Sequence, residues 1–177
     1  MATALLMANT SNVKEMKNGR PQSVLAPKDL PNCAIVKLGD TLEKTKGAEF
    51  DHVHAVTAEA ATEAVGKFVI VAPEINVQQY RMIDNDIAKF GLEANEVYTA
   101  YELQKLDRLE LSADMFAAVP ALGDTVNIAA DGKLTGKIAD GCLRVVSIRE
   151  QRLPQMVLQD GSMRPAAVKM IKVEVVK

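Results

Sequence analysis

The apolar positions of the chain fall mainly into short runs with the length and spacing of β-strands. Residues 34–38 form such a run before a Gly-Asp pair, and residues 52–56 begin with the alternation of polar and apolar side chains that a half-buried strand shows. Residues 68–71 (Phe-Val-Ile-Val) are continuously apolar and end at Ala72-Pro73. This third run predicts a strand buried on both faces.

Two stretches predict helices instead. Residues 58–65 are rich in Ala and Glu, with Thr57 placed to cap the N-terminus and Gly66 placed to end the helix. Between Asn76 and Gly91 apolar side chains recur at helical spacing. We therefore expect one short and one longer helix in the middle of the chain.

Residues 97–111 fit either kind of element. Their first side chains alternate as in a strand, whereas Leu103, Leu106 and Leu109 would also share one face of a helix. The high content of β-branched and aromatic residues at the start favours strands, with a turn at residues 105–107.

The last third of the chain predicts a small β module. A strand over residues 125–128 precedes the hairpin signal Asp131-Gly132, and two longer strands follow at residues 143–148 and 168–175. In the last strand the apolar alternation changes phase after Met170. A one-residue change of phase predicts a β-bulge at Met170-Ile171.

Together these patterns divide the chain into three segments. Residues 1–32 contain three prolines and no sustained apolar period, which predicts an extended N-terminal arm. Residues 33–116 predict a small mixed α/β body, and residues 117–177 predict a small β-barrel or sandwich. The expected fold class is α+β, mainly β.

The aromatic residues change the picture of the last segment. All seven lie between Phe50 and Phe116, so the predicted β module contains none. A module of about 60 residues buries only a modest share of its surface, and without large aromatic side chains its core is smaller still. We expect it to depend on the body or on a partner.

Charge is distributed unevenly over the chain. Residues 1–32 carry four bases and two acids, and residues 144–177 carry seven bases and three acids, so the net charge of −2 conceals an acidic middle. Such a distribution suits docking onto a protein surface of mixed charge. The pI near 5.7 and the few aromatic residues do not fit nucleic-acid binding.

The histidines are the first candidates for chemistry. His52 and His54 would place two imidazoles on one face of a strand, with Asp51 or Glu49 as further ligands, but a closed zinc site needs four ligands. Surface histidines are the simpler interpretation, and their role stays open.

Other reactive side chains lack the context that chemistry requires. The cysteines have no Cys-x-x-Cys spacing and the serines have no histidine nearby in sequence, while the carboxylate pairs fit solvated surfaces. Phosphate-loop, dinucleotide and nucleophile-elbow motifs are absent, and no apolar run is long enough to span a bilayer. We therefore assign no catalytic, cofactor-binding or metal-binding residue. The residues considered are Cys33, Cys142, Ser147, Ser162, Asp84, Asp86, Glu59 and Glu63.

Three stretches taken together carry a family resemblance. They are residues 68–74 (FVIVAPE), residues 101–112 (YELQKLDRLELS) and Gly123-Asp124-Thr125-Val126 before a Gly-punctuated β module. This order resembles the decoration or cement proteins of tailed-bacteriophage heads. In that group a Gly-Asp pair follows the Tyr-x-Leu run, whereas in this chain Leu106 stands at the glycine position.

The resemblance implies a non-enzymatic virion structural protein, made in the host cytoplasm and located on the capsid surface. Such a protein stabilises the shell by bridging neighbouring major capsid subunits, as a homo-oligomer on the shell, without nucleic acid, membrane or cofactor. One alternative is a soluble adaptor or ligand-binding module with a small β-barrel. Another is an enzyme that uses His52 or His54.

Overall fold

The computed structural model describes residues 8–13, 21–71, 91–152 and 167–177. The predicted helix after Asn76 and the candidates Asp84, Asp86 and Ser162 lie outside these residues. The described residues form twelve strands, one short helix and two 3-10 turns. In chain order these are β1 Ala8–Asn12, β2 Gln22–Leu25, β3 Leu30–Pro31, β4 Ile35–Thr41, α1 Glu43–Lys46, a 3-10 turn Ala48–Phe50, β5 Val53–Thr57, β6 Phe68–Val71, β7 Gly91–Leu92, β8 Val97–Glu102, β9 Arg108–Ser112, a 3-10 turn Ala113–Met115, β10 Thr125–Val126, β11 Leu143–Arg152 and β12 Ala167–Val175.

Five of these strands close into a barrel. Their order is β2-β5-β4-β6-β8, and β8 pairs with β2 to complete the ring. The β2–β5 pair is parallel and the other four pairs are antiparallel. The expected mainly β fold with a small barrel is confirmed.

The second sheet is open, with the order β1-β9-β12-β11-β10 and antiparallel pairing throughout. β12 lies at its centre, between β9 and β11. A separate two-stranded pair joins β3 to β7.

Barrel and open sheet share a core. Ile35 and Val69 of the barrel pack in the same cluster as Leu109 and Val173 of the open sheet. The neighbouring residues of the barrel strands, Val36 on β4 and Ile70 on β6, belong to a second cluster with Val24 and Ala100. β6 and the first two residues of β4 therefore bury side chains on both faces, which explains the continuously apolar run at residues 68–71.

The sheets do not follow the three predicted segments. β1 and β2, both within residues 1–32, are strands of the open sheet and of the barrel. The barrel is built from residues 22–102, whereas the strands after residue 117 join β9 and β1 in the open sheet. The closed barrel therefore lies within the first two predicted segments, and the strands of the last segment belong to the open sheet.

The short helix predicted over residues 58–65 is not formed. The backbone of Ala61 exchanges two 3.1 Å hydrogen bonds with Ile128, and the Ala64 N–H donates to the Lys177 carbonyl at 2.7 Å. Pairing with distant segments has taken the backbone groups that helical hydrogen bonds need. By contrast, the strands and turn predicted over residues 97–111 are confirmed as β8, β9 and the link between them.

The bulge predicted at Met170-Ile171 is not formed, because these two residues pair regularly with Arg149 and Ile148; a bulge lies instead on the neighbouring strand, opposite Lys172 and Val173. Val145 pairs with Val173 and Ser147 pairs with Lys172, so Val146 is the extra residue, on β11. β12 keeps a continuous register with β9 over the same region. The change of phase in β12 instead reflects local burial, since Met170 and Ile171 point to opposite faces of the sheet and are both buried.

Candidate functional site

The two histidines are not brought together as expected. His52 lies in the exposed turn before β5, where its Nδ1 contacts the Asp51 carboxylate, and is not part of the strand. His54 is in β5, and its Nδ1 lies 3.0 Å from the Gly39 carbonyl oxygen. Within the described residues, no group of three or more His, Cys, Asp or Glu side chains is placed to hold a metal ion.

Both thiols are buried and neither forms a disulfide. Burial raises the pKa of the Cys142 thiol, which disfavours the reactive thiolate. Ser147 lies within β11, opposite Lys172. None of these positions gives a nucleophile an activating base among the contacts described.

The carboxylates near residue 60 line an open depression of about 490 Å³. Glu59 accepts a 2.9 Å hydrogen bond from Lys67 Nζ, which lowers the pKa of Glu59. Glu63 is exposed, and without the predicted helix it does not share a helical face with Glu59. Because Glu59 and Lys67 already pair with each other, these two charges of the depression are not free to hold a ligand.

A larger constellation lies on the open sheet, on the face turned away from the core. Alternate residues of a strand point to opposite faces, so the charged residues that flank Leu109 and Val173 point away from the core. We define the outer face by six residues of β9, β11 and β12: Arg108, Glu110, Arg144, Arg149, Lys172 and Glu174.

One row of the outer face is centred on Glu174 of β12. Its Oε2 accepts hydrogen bonds from Arg108 Nε at 2.9 Å and Nη2 at 2.7 Å, and its Oε1 accepts one from Arg144 Nη2 at 2.8 Å. The three residues are direct cross-strand partners on β9, β12 and β11. The hydrogen bonds from Arg108, and to a lesser extent that from Arg144, hold the pKa of Glu174 below its usual range.

The second row is centred on Glu110 of β9. Arg149 of β11 reaches across β12 and donates to both carboxylate oxygens, with its Nη2 at 3.0 Å from Oε2. Lys172, the cross-strand partner of Glu110, adds a further positive charge. The hydrogen bonds from Arg149 lower the pKa of Glu110, and the same contact raises the pKa of Arg149.

Burial separates the two signs of charge on this face. The Glu110 and Glu174 side chains are only 7% and 5% exposed, whereas the three arginine side chains are 50% to 52% exposed. The outer face therefore has four cationic side chains over two buried carboxylates. The surface that a partner would contact is basic, although the chain as a whole has a net charge of −2. Because the carboxylates already fix the guanidinium groups, a partner would order them at little further cost.

Such a face suits recognition of carboxylates on another protein. Guanidinium groups present planar sets of donors that match carboxylate oxygens. The sequence carries a trace of the site, since Arg108-Leu109-Glu110-Leu111 and Lys172-Val173-Glu174-Val175 both alternate charged with apolar residues. Without the strand register, that alternation does not tell which charges meet.

Comparison of the chain with family models, curated proteins and solved structures gives no match. Among the helices of the described residues, none is long and apolar enough to cross a membrane.

Proposed function

We propose that the chain is a non-enzymatic structural protein of the decoration or cement class of tailed-bacteriophage heads. In this role it binds the capsid surface, bridges neighbouring major capsid subunits as a homo-oligomer on the shell, and thereby stabilises the shell. The proposal rests on the resemblance carried by residues 68–74, 101–112 and 123–126.

The outer face is the structural observation that carries the proposal. A rigid, solvent-facing β-sheet surface with preordered guanidinium groups is suited to a protein partner that presents carboxylates. Nucleic acid fits this surface less well, because the six residues that define the face include no aromatic side chain for stacking on bases and the chain has a pI near 5.7.

Sedimentation with capsid shells tests the proposal. Purified protein is mixed with undecorated shells of the phage that encodes it, and the bound fraction is measured after centrifugation over a range of salt concentrations. We expect saturable binding that weakens as salt rises, because the contacts are between charges at a solvent-accessible surface. Absence of co-sedimentation at every salt concentration would exclude the function.

A double variant ties the binding to the outer face. Glu110→Gln with Arg149→Gln removes one exposed guanidinium and its buried partner without changing the net charge. We expect the affinity for shells to fall about tenfold, which corresponds to about 1.4 kcal/mol. The matched control, Asp124→Asn with Lys137→Gln, removes a 2.7 Å ion pair elsewhere on the surface and should bind as the wild type does. Equal binding by all three proteins would place the contact on another surface.

A further inference from the structure

The turn between β8 and β9 has a residue that does not suit its backbone. The Asp107 N–H donates to the Gln104 carbonyl at 3.1 Å, which closes a four-residue turn with Leu106 in its third position. Leu106 has a φ of 74°, in the left-handed region. Turns with positive φ at the third position normally place Gly or Asn there, because a larger residue is strained.

The fold gains little from the Leu106 side chain in return for this strain. Leu106 is 66% exposed. Its backbone is well held, since its N–H donates to the Val175 carbonyl at 2.9 Å and the Asp107 carbonyl accepts from the Val175 N–H at 2.9 Å. The turn thus presents an apolar side chain to solvent on a rigid backbone. Strained residues that persist without an internal reason are found at binding sites.

A second exposed apolar residue lies on a neighbouring turn. Val65 is 47% exposed, and the turn that carries it is attached to the same region of the fold. The Gly66 N–H donates to the Leu103 carbonyl at 3.0 Å, and the Ala64 N–H donates to the Lys177 carbonyl at 2.7 Å. Both turns are therefore fixed to the C-terminal end of β12.

Two exposed cations lie close to Leu106 along the chain, whereas Asp107, the residue that follows it, is buried. Lys105 is exposed, and the Arg108 side chain is 52% exposed while it pairs with Glu174. Arg108 belongs to the outer face, so Leu106 lies where that face ends. An apolar side chain beside exposed cations is complementary to an apolar pocket with carboxylates at its rim.

We propose that Leu106, with Val65 on the neighbouring turn, is the apolar anchor of the outer face and inserts into a carboxylate-rimmed apolar pocket on the capsid subunit. This inference rests on the proposed function and adds the site and chemistry of the contact. Binding energy at protein interfaces is concentrated in a few side chains that fill pockets, and a preordered turn lowers the cost of filling one.

The experiment compares variants of Leu106 in the same shell sedimentation, with full-length protein. Leu106→Ala should weaken shell binding at least tenfold, whereas Leu106→Met, which keeps an apolar side chain of similar size, should bind within about threefold of the wild type. Leu122→Ala is the matched control, because Leu122 is 68% exposed and lies on the turn before β10, three strands away from β9. It should bind as the wild type does.

Thermal unfolding of Leu106→Gly separates a binding role from a structural one. Glycine relieves the left-handed backbone, so the melting temperature should stay unchanged or rise by up to about 4 °C while shell binding falls. A marked drop in melting temperature would show that Leu106 supports the fold and would overturn the inference. Equal losses of shell binding in Leu106→Ala and Leu122→Ala, or no loss in either variant, would also overturn the inference. In both cases, binding of the wild-type protein to shells would still support the proposed function. Absence of wild-type binding would overturn both.

Discussion

Glu174 is the residue on which the outer face depends most, because its carboxylate joins three strands. It is 4% exposed and accepts hydrogen bonds from both Arg108 and Arg144. Removing the carboxylate would leave two guanidinium groups without their partner. Glu174→Gln should therefore lower the free energy of unfolding at pH 7 by about 1–3 kcal/mol.

The same substitution should change how stability depends on pH. The pKa values of Glu110 and Glu174 in the folded protein lie below the usual value of 4.5, so below about pH 4.5 the unfolded chain takes up protons more readily. Their contribution is thus complete above about pH 4.5 and is lost as pH falls through the folded values. Urea unfolding between pH 2 and pH 7 should show a shallower loss of stability at low pH for Glu174→Gln than for the wild type.

Asp140→Asn provides the control for this pH dependence. Asp140 pairs with Lys177 at 2.6 Å, but its side chain is 89% exposed, so its loss should leave the acid slope nearly unchanged. If the Glu174 and Asp140 variants lose the same fraction of the slope, the buried rows of the outer face do not account for acid sensitivity.

At the scale of elements, the local sequence pattern was sufficient to predict a strand where the burial or the composition of its residues is uniform along its length. β6 was predictable because both faces are buried, and β8 and β9 because β-branched and aromatic residues outweigh a weak helical spacing. The helix over residues 58–65 failed because Ala61 and Ala64 bond to segments more than sixty residues away. The outer face could not be predicted because the pairing of Arg108, Glu174 and Arg144 is set by strand register, which the sequence does not display.

The approach of Gly141 to β10 gives an element-level prediction. A Cβ at Gly141 would lie 2.4 Å from the Val126 carbonyl oxygen and 2.5 Å from its nitrogen. Because these are backbone atoms, no side-chain rotation can make room, so Gly141→Ala must shift the backbone at Val126 of β10 or at residue 141 itself. We expect a loss of about 3 kcal/mol, at the upper end for overpacking, measured by urea unfolding.

Gly91→Ala is the comparison for this effect. Gly91 is also in a strand region, but among the residues that the structure describes a Cβ there would meet only the Leu30 carbonyl oxygen, at 3.4 Å. Its substitution should cost less than about 1 kcal/mol. Comparable losses at the two glycines would show that β10 can move and that the close approach at Val126 is not a constraint.

At the scale of the whole molecule, the shared core joins barrel and open sheet into one cooperative unit. Ile35 and Val69 lie on barrel strands, but their side chains pack in the cluster beneath the outer face of the open sheet. The residues that follow them on the same strands pack in the second cluster, inside the barrel. A disturbance inside the barrel should therefore be felt by the open sheet. This coupling also means that a partner bound to the outer face stabilises the barrel, since binding to the folded state favours the whole cooperative unit.

Ile70→Ala tests that coupling directly. Ile70 is fully buried within the barrel cluster, and its truncation should cost about 2–5 kcal/mol. If the molecule unfolds as one unit, amide signals from β9 and β12 should be lost at the same lowered temperature as those from β4 and β6 in two-dimensional NMR. Ile148→Ala, at a position of β11 that is 36% exposed, should shift both sets little. Survival of the β9 and β12 signals after the barrel has melted would show two separate units, and a partner bound to the outer face would then stabilise only the open sheet.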